Sequence, residues 1–220
     1  MSKKNSIQEI ALKNKDDFIF NLLKIENFNS SSSRLRFWFK HCINNIDKIE
    51  GDLFEFGVFR ASSLISMGLL LKKLGSSKKI YGFDSFKGFP PHHQNDELDT
   101  FHSNLNIFDK SHIEKHNFLL DIKKTINNKI SPSNISSSGV FNDTSEKGVR
   151  AKIDAFELDN IELVVGQYSE TAPSFFKNYK GNIFSCNMDC DLYLSYKETL
   201  PYVYNHMVSG SFMNLDEYYS

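Results

Sequence analysis

The chain has 220 residues, of which 40% are hydrophobic and 20 are phenylalanine, so it can bury one substantial core but not two comfortable ones. Lys and Arg number 26 against 27 Asp and Glu, for a net charge of -1, which leaves no basic field for nucleic acid and no single-sign tail for a charged partner. The three cysteines (Cys42, Cys186, Cys190) cannot all pair and lack zinc spacing, so reduced thiols are expected. The N-terminal MSKKNSIQEI has no apolar signal core, and no run approaches the length of a membrane span; a cytoplasmic protein with no membrane partner is the expectation.

Residues 1 to about 28 are polar, with a short helical patch at Phe18, Phe20, Leu22 and Leu23. Serines 30–33 offer N-caps for a helix carrying Leu35, Phe37, Trp38, Ile43 and Ile46. From Asp52 the pattern becomes strand, turn, helix. DLFEFGV (52–58) reads as a strand, residues 62–74 as a helix ending at Gly75, and KIYGFD (79–84) as a second strand. A long loop rich in Pro, His and Asp follows, then a polar helix near 110–128 and a Ser-rich stretch, ISPSNISSSG, expected to be flexible or inserted. Beyond it come a helix over 142–158, strands at 161–165, 183–189 and 211–216, and helices near 170–178 and 194–206, the last leading to a turn at Gly210. Strands alternating with helices predict an open parallel α/β sheet, whose ligands bind beyond the carboxyl ends of the strands.

Those ends carry Glu55 and Gly57, Asp84-Ser85, Gly166-Gln167-Tyr168, Asp189-x-Asp191 and Asp216-Glu217. None is required by a core. An acid on a buried strand is costly unless it faces a donor or a cation, and the ammonium of an amino-acid-like ligand would serve Glu55. An acid at the end of the second strand commonly accepts from ribose hydroxyls, although a turn-capping Asp84 is an equal reading. The turn after the first strand lacks both a phosphate-cradling loop and a full G-x-G-x-x-G. Together these features suggest an adenosine-bearing cofactor without a phosphate cradle, a description that S-adenosylmethionine fits better than NAD. Asp189, Asp191, Asp216 and Glu217 converge if consecutive strands are neighbours. Their hard oxygens suit Mg²⁺ or Ca²⁺, and a spare acid beside a hydroxyl can act as a general base. His92 and His93 lie in the long loop, and Cys186 and Cys190 read as buried structural thiols.

On GDLFEFGVFRASSL, YGFDSFKGFP, VVGQYSETAP, MDCDLYLSYKETLPYVY and LDEYY, in that order, residues 50–220 resemble the macrocin-type O-methyltransferases, which methylate sugar hydroxyls with S-adenosylmethionine and Mg²⁺. The resemblance implies a Rossmann-like class I methyltransferase domain over 49–220, with a mostly parallel sheet and helices on both faces, behind a helical segment at 1–48. It implies Asp189, Asp216 and Glu217 as metal ligands and Asp191 as the base. It places Glu55, Gly57 and Ser63 at the methionine part of the cofactor and Asp84 at the ribose, with Ser85 in the same set. By a looser likeness to metal-dependent catechol methyltransferases, Gly166, Gln167 and Tyr168 border the adenine.

The chain departs from the family in carrying Ala61 for a usual glycine, and Asp216-Glu217-Tyr218 for a usual Asp-Asp-Tyr. The family's fold also continues with a helix and two strands beyond the position of Ser220. Missing C-terminal strands are therefore expected, with the last strand left as an edge for a homo-oligomer partner to cover. Two other readings stand beside this one. The D-x-D also marks metal-dependent glycosyltransferases, and a truncated relative could serve as a non-catalytic cofactor-binding or assembly subunit.

Overall fold

A computed structural model describes residues 6–96, 109–127 and 141–219. Five strands, β1 (Asp52–Phe56), β2 (Ile80–Asp84), β3 (Ile161–Val165), β4 (Ile183–Met188) and β5 (Met207–Leu215), form one sheet in the order β3-β2-β1-β4-β5. Every pairing is parallel. The chain runs outward from β1 to β3, then returns to place β4 on the other side of β1. That reversal is the switch point at which open α/β sheets leave a crevice. Around the sheet lie α1 (Ile7–Lys13), α2 (Asp17–Leu23), α3 (Arg36–Asn45), α4 (Ser62–Lys73), α5 (Lys110–Asn127), α6 (Glu146–Ala155), α7 (Tyr168–Asn178) and α8 (Tyr193–His206).

Side chains alternate across each strand, and this divides the core in two. Leu53 faces Leu64, Ile65, Trp38, Phe39, Val149 and Ile153, the inner faces of α3, α4 and α6. Phe54 and Phe56 face Phe83, Phe176 and Val203, from β2, α7 and α8. Helices therefore cover both faces of the sheet. The short α1 and α2 add Ala11 and Phe20 to the first cluster, so residues before Asp52 share a core with the sheet. β4 is buried along its whole length, as expected for a strand flanked on both sides, and α4 is buried continuously from Ser63 to Leu71.

Local chemistry sets the helix ends. Ser6, Asp16 and Ser145 accept from the backbone N–H groups of Glu9, Phe18 and Gly148 and so cap α1, α2 and α6. Three expectations are corrected. The helix α1, masked by its polar composition, precedes the anticipated patch at α2. Serines 30–33 do not cap α3, which starts at Arg36 with no side-chain cap; Ser33 Oγ instead accepts from Leu35 N at 3.2 Å and donates to Glu26 at 3.0 Å. The last strand begins directly after α8 at Met207, and Gly210 lies inside it at φ +88, next to the register shift of the β4–β5 pair. The Ser-rich stretch, and residues 97–108 of the loop after Asp84, lie outside the described residues. Among the described residues no helix is long and apolar enough to cross a membrane.

Candidate active site

Glu55 points to the α4 side of the sheet, in register with Asn187 of β4, and is fully buried. Its Oε1 accepts from Asn187 Nδ2 at 3.0 Å and from Ser63 Oγ. Asn187 Oδ1 in turn accepts from Asn214 of β5 at 2.8 Å. A polar file thus crosses three strands inside an apolar layer, and one position in it is unfilled: Glu55 Oε2 is buried with no partner. Burial pushes this carboxyl up to about 8, against the opposing hydrogen bonds from Ser63 and Asn187.

Beyond the strand ends lies a cavity of about 560 Å³. Gly57, Asp84, Ser85, Gly166, Gln167 and Tyr168 form one side of it, and Arg34, Asp189, Asp191 and Asp216 the other. Glu55, Ser63 and Glu217 are not among its lining residues. Gly57 has φ +93, and a Cβ there would sit 1.6 Å from the carbonyl oxygen of Asp189. The glycine is therefore demanded by the close approach of two strand ends. Asp84 Oδ2 accepts from Phe59 N at 2.8 Å and Oδ1 from Phe86 N at 2.7 Å, while its carbonyl accepts from Gly166 N at 3.0 Å. The carboxylate thus fixes two turns, and each oxygen keeps a second lone-pair direction for a ligand hydroxyl. Ala61 adopts φ +59, in the left-handed region; a glycine would be relaxed there, so the departure at this position concerns backbone conformation as well as room. A larger hollow of about 1000 Å³, between the N-terminal segment and α6, shares Phe59 with this cavity but holds none of the strand-end acids.

The acids meet on the other side. One carboxylate oxygen each from Asp189, Asp191 and Glu217 lies within 4.8 Å of the others. Asp191 holds φ +58, a conformation that Asp tolerates better than most residues. Its side chain reaches solvent, yet its crowded surroundings and then the charges of Asp189 and Asp216 push its carboxyl up to about 7. Glu217 is pushed up to about 7 by burial, against a hydrogen bond from Tyr196. Asp189 is also raised, by burial opposed by Arg34. Asp216 lies beside Asp189 and shares Arg34 with it: Arg34 Nη1 lies 2.8 Å from Asp216 Oδ1, and Arg34 Nη2 lies 2.9 Å from Asp189 Oδ2. Burial works against the Arg34 charge, but Asp189 and Asp216 outweigh it and hold the guanidinium firmly protonated.

The residues present fit both implied groups. Asp84 lines the cavity with acceptor capacity to spare, while the unpartnered Glu55 Oε2, an acceptor suited to an ammonium, is buried outside the cavity lining. Three convergent carboxylates form a hard-oxygen donor set suited to Mg²⁺. The sequence-predicted residues thus gather into two neighbouring groups. Sequence reasoning missed Arg34, because nothing in the RLRFWF string separates a residue reaching β4 and β5 from an ordinary surface arginine. Cys186 and Cys190 are buried free thiols, and His93 stacks on Tyr193 at 5.0 Å.

Residues 31–118 match the family model described as Macrocin-O-methyltransferase (TylF). The match covers less than half of the chain and likens this part of it to the macrocin-type O-methyltransferases. The matched span contains Arg34, Glu55, Gly57, Ser63, Asp84 and Ser85, whereas the four acids from Asp189 onward lie beyond it. Two solved structures share the fold. The O-methyltransferase NovP is 22% identical, with 76% of this chain and 56% of NovP covered and a TM-score of 0.50. The calicheamicin methyltransferase CalS11 is 18% identical, with 94% of this chain and 74% of CalS11 covered and a TM-score of 0.57. The chain therefore spans little more than half the length of NovP. No curated protein sequence matches it.

Proposed function

We propose that the protein transfers a methyl group from S-adenosylmethionine to a hydroxyl oxygen of a sugar or glycan-type acceptor, with Mg²⁺ at the acid cluster. The observation that carries this reading is the meeting, at one switch point, of the half-partnered Glu55 and Asp84 with the carboxylates of Asp189, Asp191 and Glu217. Ser63 donates to Glu55, Gly57 and Ser63 would meet the methionine part of the cofactor with it, and the family match over residues 31–118 spans all three.

When bound, S-adenosylmethionine supplies its methyl as an electrophile, so alignment is most of what the protein must add. Glu55 Oε2 would accept from the ammonium, Asp84 from the ribose hydroxyls, and Ser85 with Gly166, Gln167 and Tyr168 would border the adenosine. A divalent cation lowers the pKa of a hydroxyl next to it. The family pattern gives that role to Asp189, Asp216 and Glu217, leaving Asp191 to take the proton. A carboxyl near 7 is suited to a base working at neutral pH.

The test is calorimetric titration with S-adenosylhomocysteine, followed by mass-spectrometric detection of methylation across a panel of sugars and nucleotide sugars with and without EDTA. Micromolar binding, about -8 kcal/mol, and chelator-sensitive methylation are the expected results. Preference for a nucleotide sugar over S-adenosylhomocysteine would transfer the D-x-D to a glycosyltransferase. Turnover that survives Asp191→Asn would remove the base.

A further inference from the structure

Among the described residues, Arg34 bridges two of the four acids, Asp189 and Asp216. It leaves the turn between α2 and α3, where Leu35 and Trp38 are fully buried and Ser33 is tied to Glu26, so its backbone is fixed. Its side chain is about half exposed, with a relative accessibility of 46%, and has a path to solvent. Its two terminal nitrogens meet different carboxylates, Asp189 from β4 and Asp216 after β5, while Nε lies 3.7 Å from Glu26. A planar guanidinium fork makes this contact with direction and not merely with charge.

Two consequences follow. With Arg34 docked, the guanidinium engages both Asp189 and Asp216, and the carboxylates whose oxygens lie within 4.8 Å of one another are those of Asp189, Asp191 and Glu217. With Arg34 released, Asp216 becomes available and Asp191 is no longer needed as a ligand. We infer that Arg34 is an internal competitor of the divalent cation: it occupies Asp189 and Asp216, and its departure shifts Asp191 from cation ligand to free base. The inference rests on the cation reading above. It assigns to the N-terminal segment, far from the acids in sequence, control over which acid is left to take a proton.

The test uses the full chain and Mn²⁺ as the probe, with binding read by calorimetry and by loss of the free-ion paramagnetic resonance signal. Emission of the single tryptophan, Trp38, checks that each variant is folded. Arg34→Gln is expected to bind Mn²⁺ at least tenfold more tightly than the unmodified chain, with Arg34→Lys between them because it keeps the charge but loses the fork. Asp191→Asn is expected to weaken binding in the unmodified chain and to have little effect in the Arg34→Gln background. Equal or weaker binding by Arg34→Gln would overturn the inference and show that arginine and cation sit side by side. Absence of Mn²⁺ binding in both proteins would overturn the cation reading itself, a result distinct from the previous one.

Discussion

Asn187 donates to Oε1 of Glu55 at 3.0 Å across the β1–β4 pair, where the two residues stand in register. Ser63, from the first turn of α4, donates to the same oxygen, and the other oxygen has nothing. Two donors on one oxygen and none on its twin make a site that is only half satisfied. A buried acceptor left in that condition is a cost to the fold, and a ligand bearing an N–H donor would relieve it.

Glu55 should therefore make the stability of the ligand-free protein fall with rising pH. Its carboxyl is held near 8 in the folded state against an ordinary 4.5. Over that interval the folded protein keeps a proton that the unfolded chain has released, so stability is full at the acid end and declines as pH rises, by up to ~1.4 kcal/mol per pH unit. Asp191 and Glu217 act in the same direction up to about 7. Thermal denaturation at pH 5 and pH 8.5 should give Glu55→Gln the midpoint of the parent at low pH and a higher one at high pH. The same variant should bind S-adenosylhomocysteine ten- to a hundredfold more weakly. A parallel pH profile for both proteins would mean that Glu55 is charged in the fold.

Asp84 holds the N–H groups of Phe59 and Phe86, both residues at positive φ. Replacement by Ala strips the acceptor from two turns that line the cavity, at a cost of roughly 2 kcal/mol. Asp84→Asn keeps one acceptor oxygen and should recover part of that loss. Both variants should lose S-adenosylhomocysteine affinity, Ala by two orders of magnitude or more. Stability lost without any change in affinity would confine Asp84 to turn capping.

Much of this arrangement was legible in the sequence because the physics that fixes it is local. Buried strands bounded by turn residues gave β1 to β4 nearly to the residue, and polar residues at strand ends marked Asp84, Asp189 and Asp191 against an apolar background. What stayed hidden depends on contacts distant in the chain. Arg34 acquires its partners at Asp189 and Asp216 only through the packing of α3 on the sheet. The early start of β5 reflects pairing with Ile183 through a bulge at Gly210, which a single strand's alternation does not encode. Gly57 lines the cavity, but the carbonyl of Asp189 that a Cβ there would meet follows a strand that sequence separation conceals.

Two glycines allow that contact to be measured. Gly57 and Gly75 both have positive φ, but a Cβ at Gly75 meets nothing within 4 Å. Gly75→Ala should therefore cost only the left-handed conformation, about 1 kcal/mol. Gly57→Ala adds a collision with backbone that cannot rotate away, and should cost roughly 3–5 kcal/mol. Chemical denaturation of the two variants gives the comparison. Equal costs would mean that the ends of β1 and β4 can part freely, and the positions of Asp189 and Asp191 would then be soft.

The Tyr196 hydroxyl lies 3.0 Å from the carbonyl oxygen of Met188 and also contacts Glu217 Oε2. It carries one proton for two acceptors. A charged Glu217 accepts the hydrogen bond from that hydroxyl; a protonated Glu217 can donate to Tyr196 and let its hydroxyl turn to Met188. With Glu217 and Asp191 both near 7, the metal-free cluster holds protons at pH 6 that a cation must displace. Mn²⁺ affinity should rise tenfold or more between pH 6 and pH 8. Tyr196→Phe removes the donor that favours the charged form of Glu217, so its curve should move to higher pH. A flat profile in the parent protein would show that both acids are already ionised at pH 6.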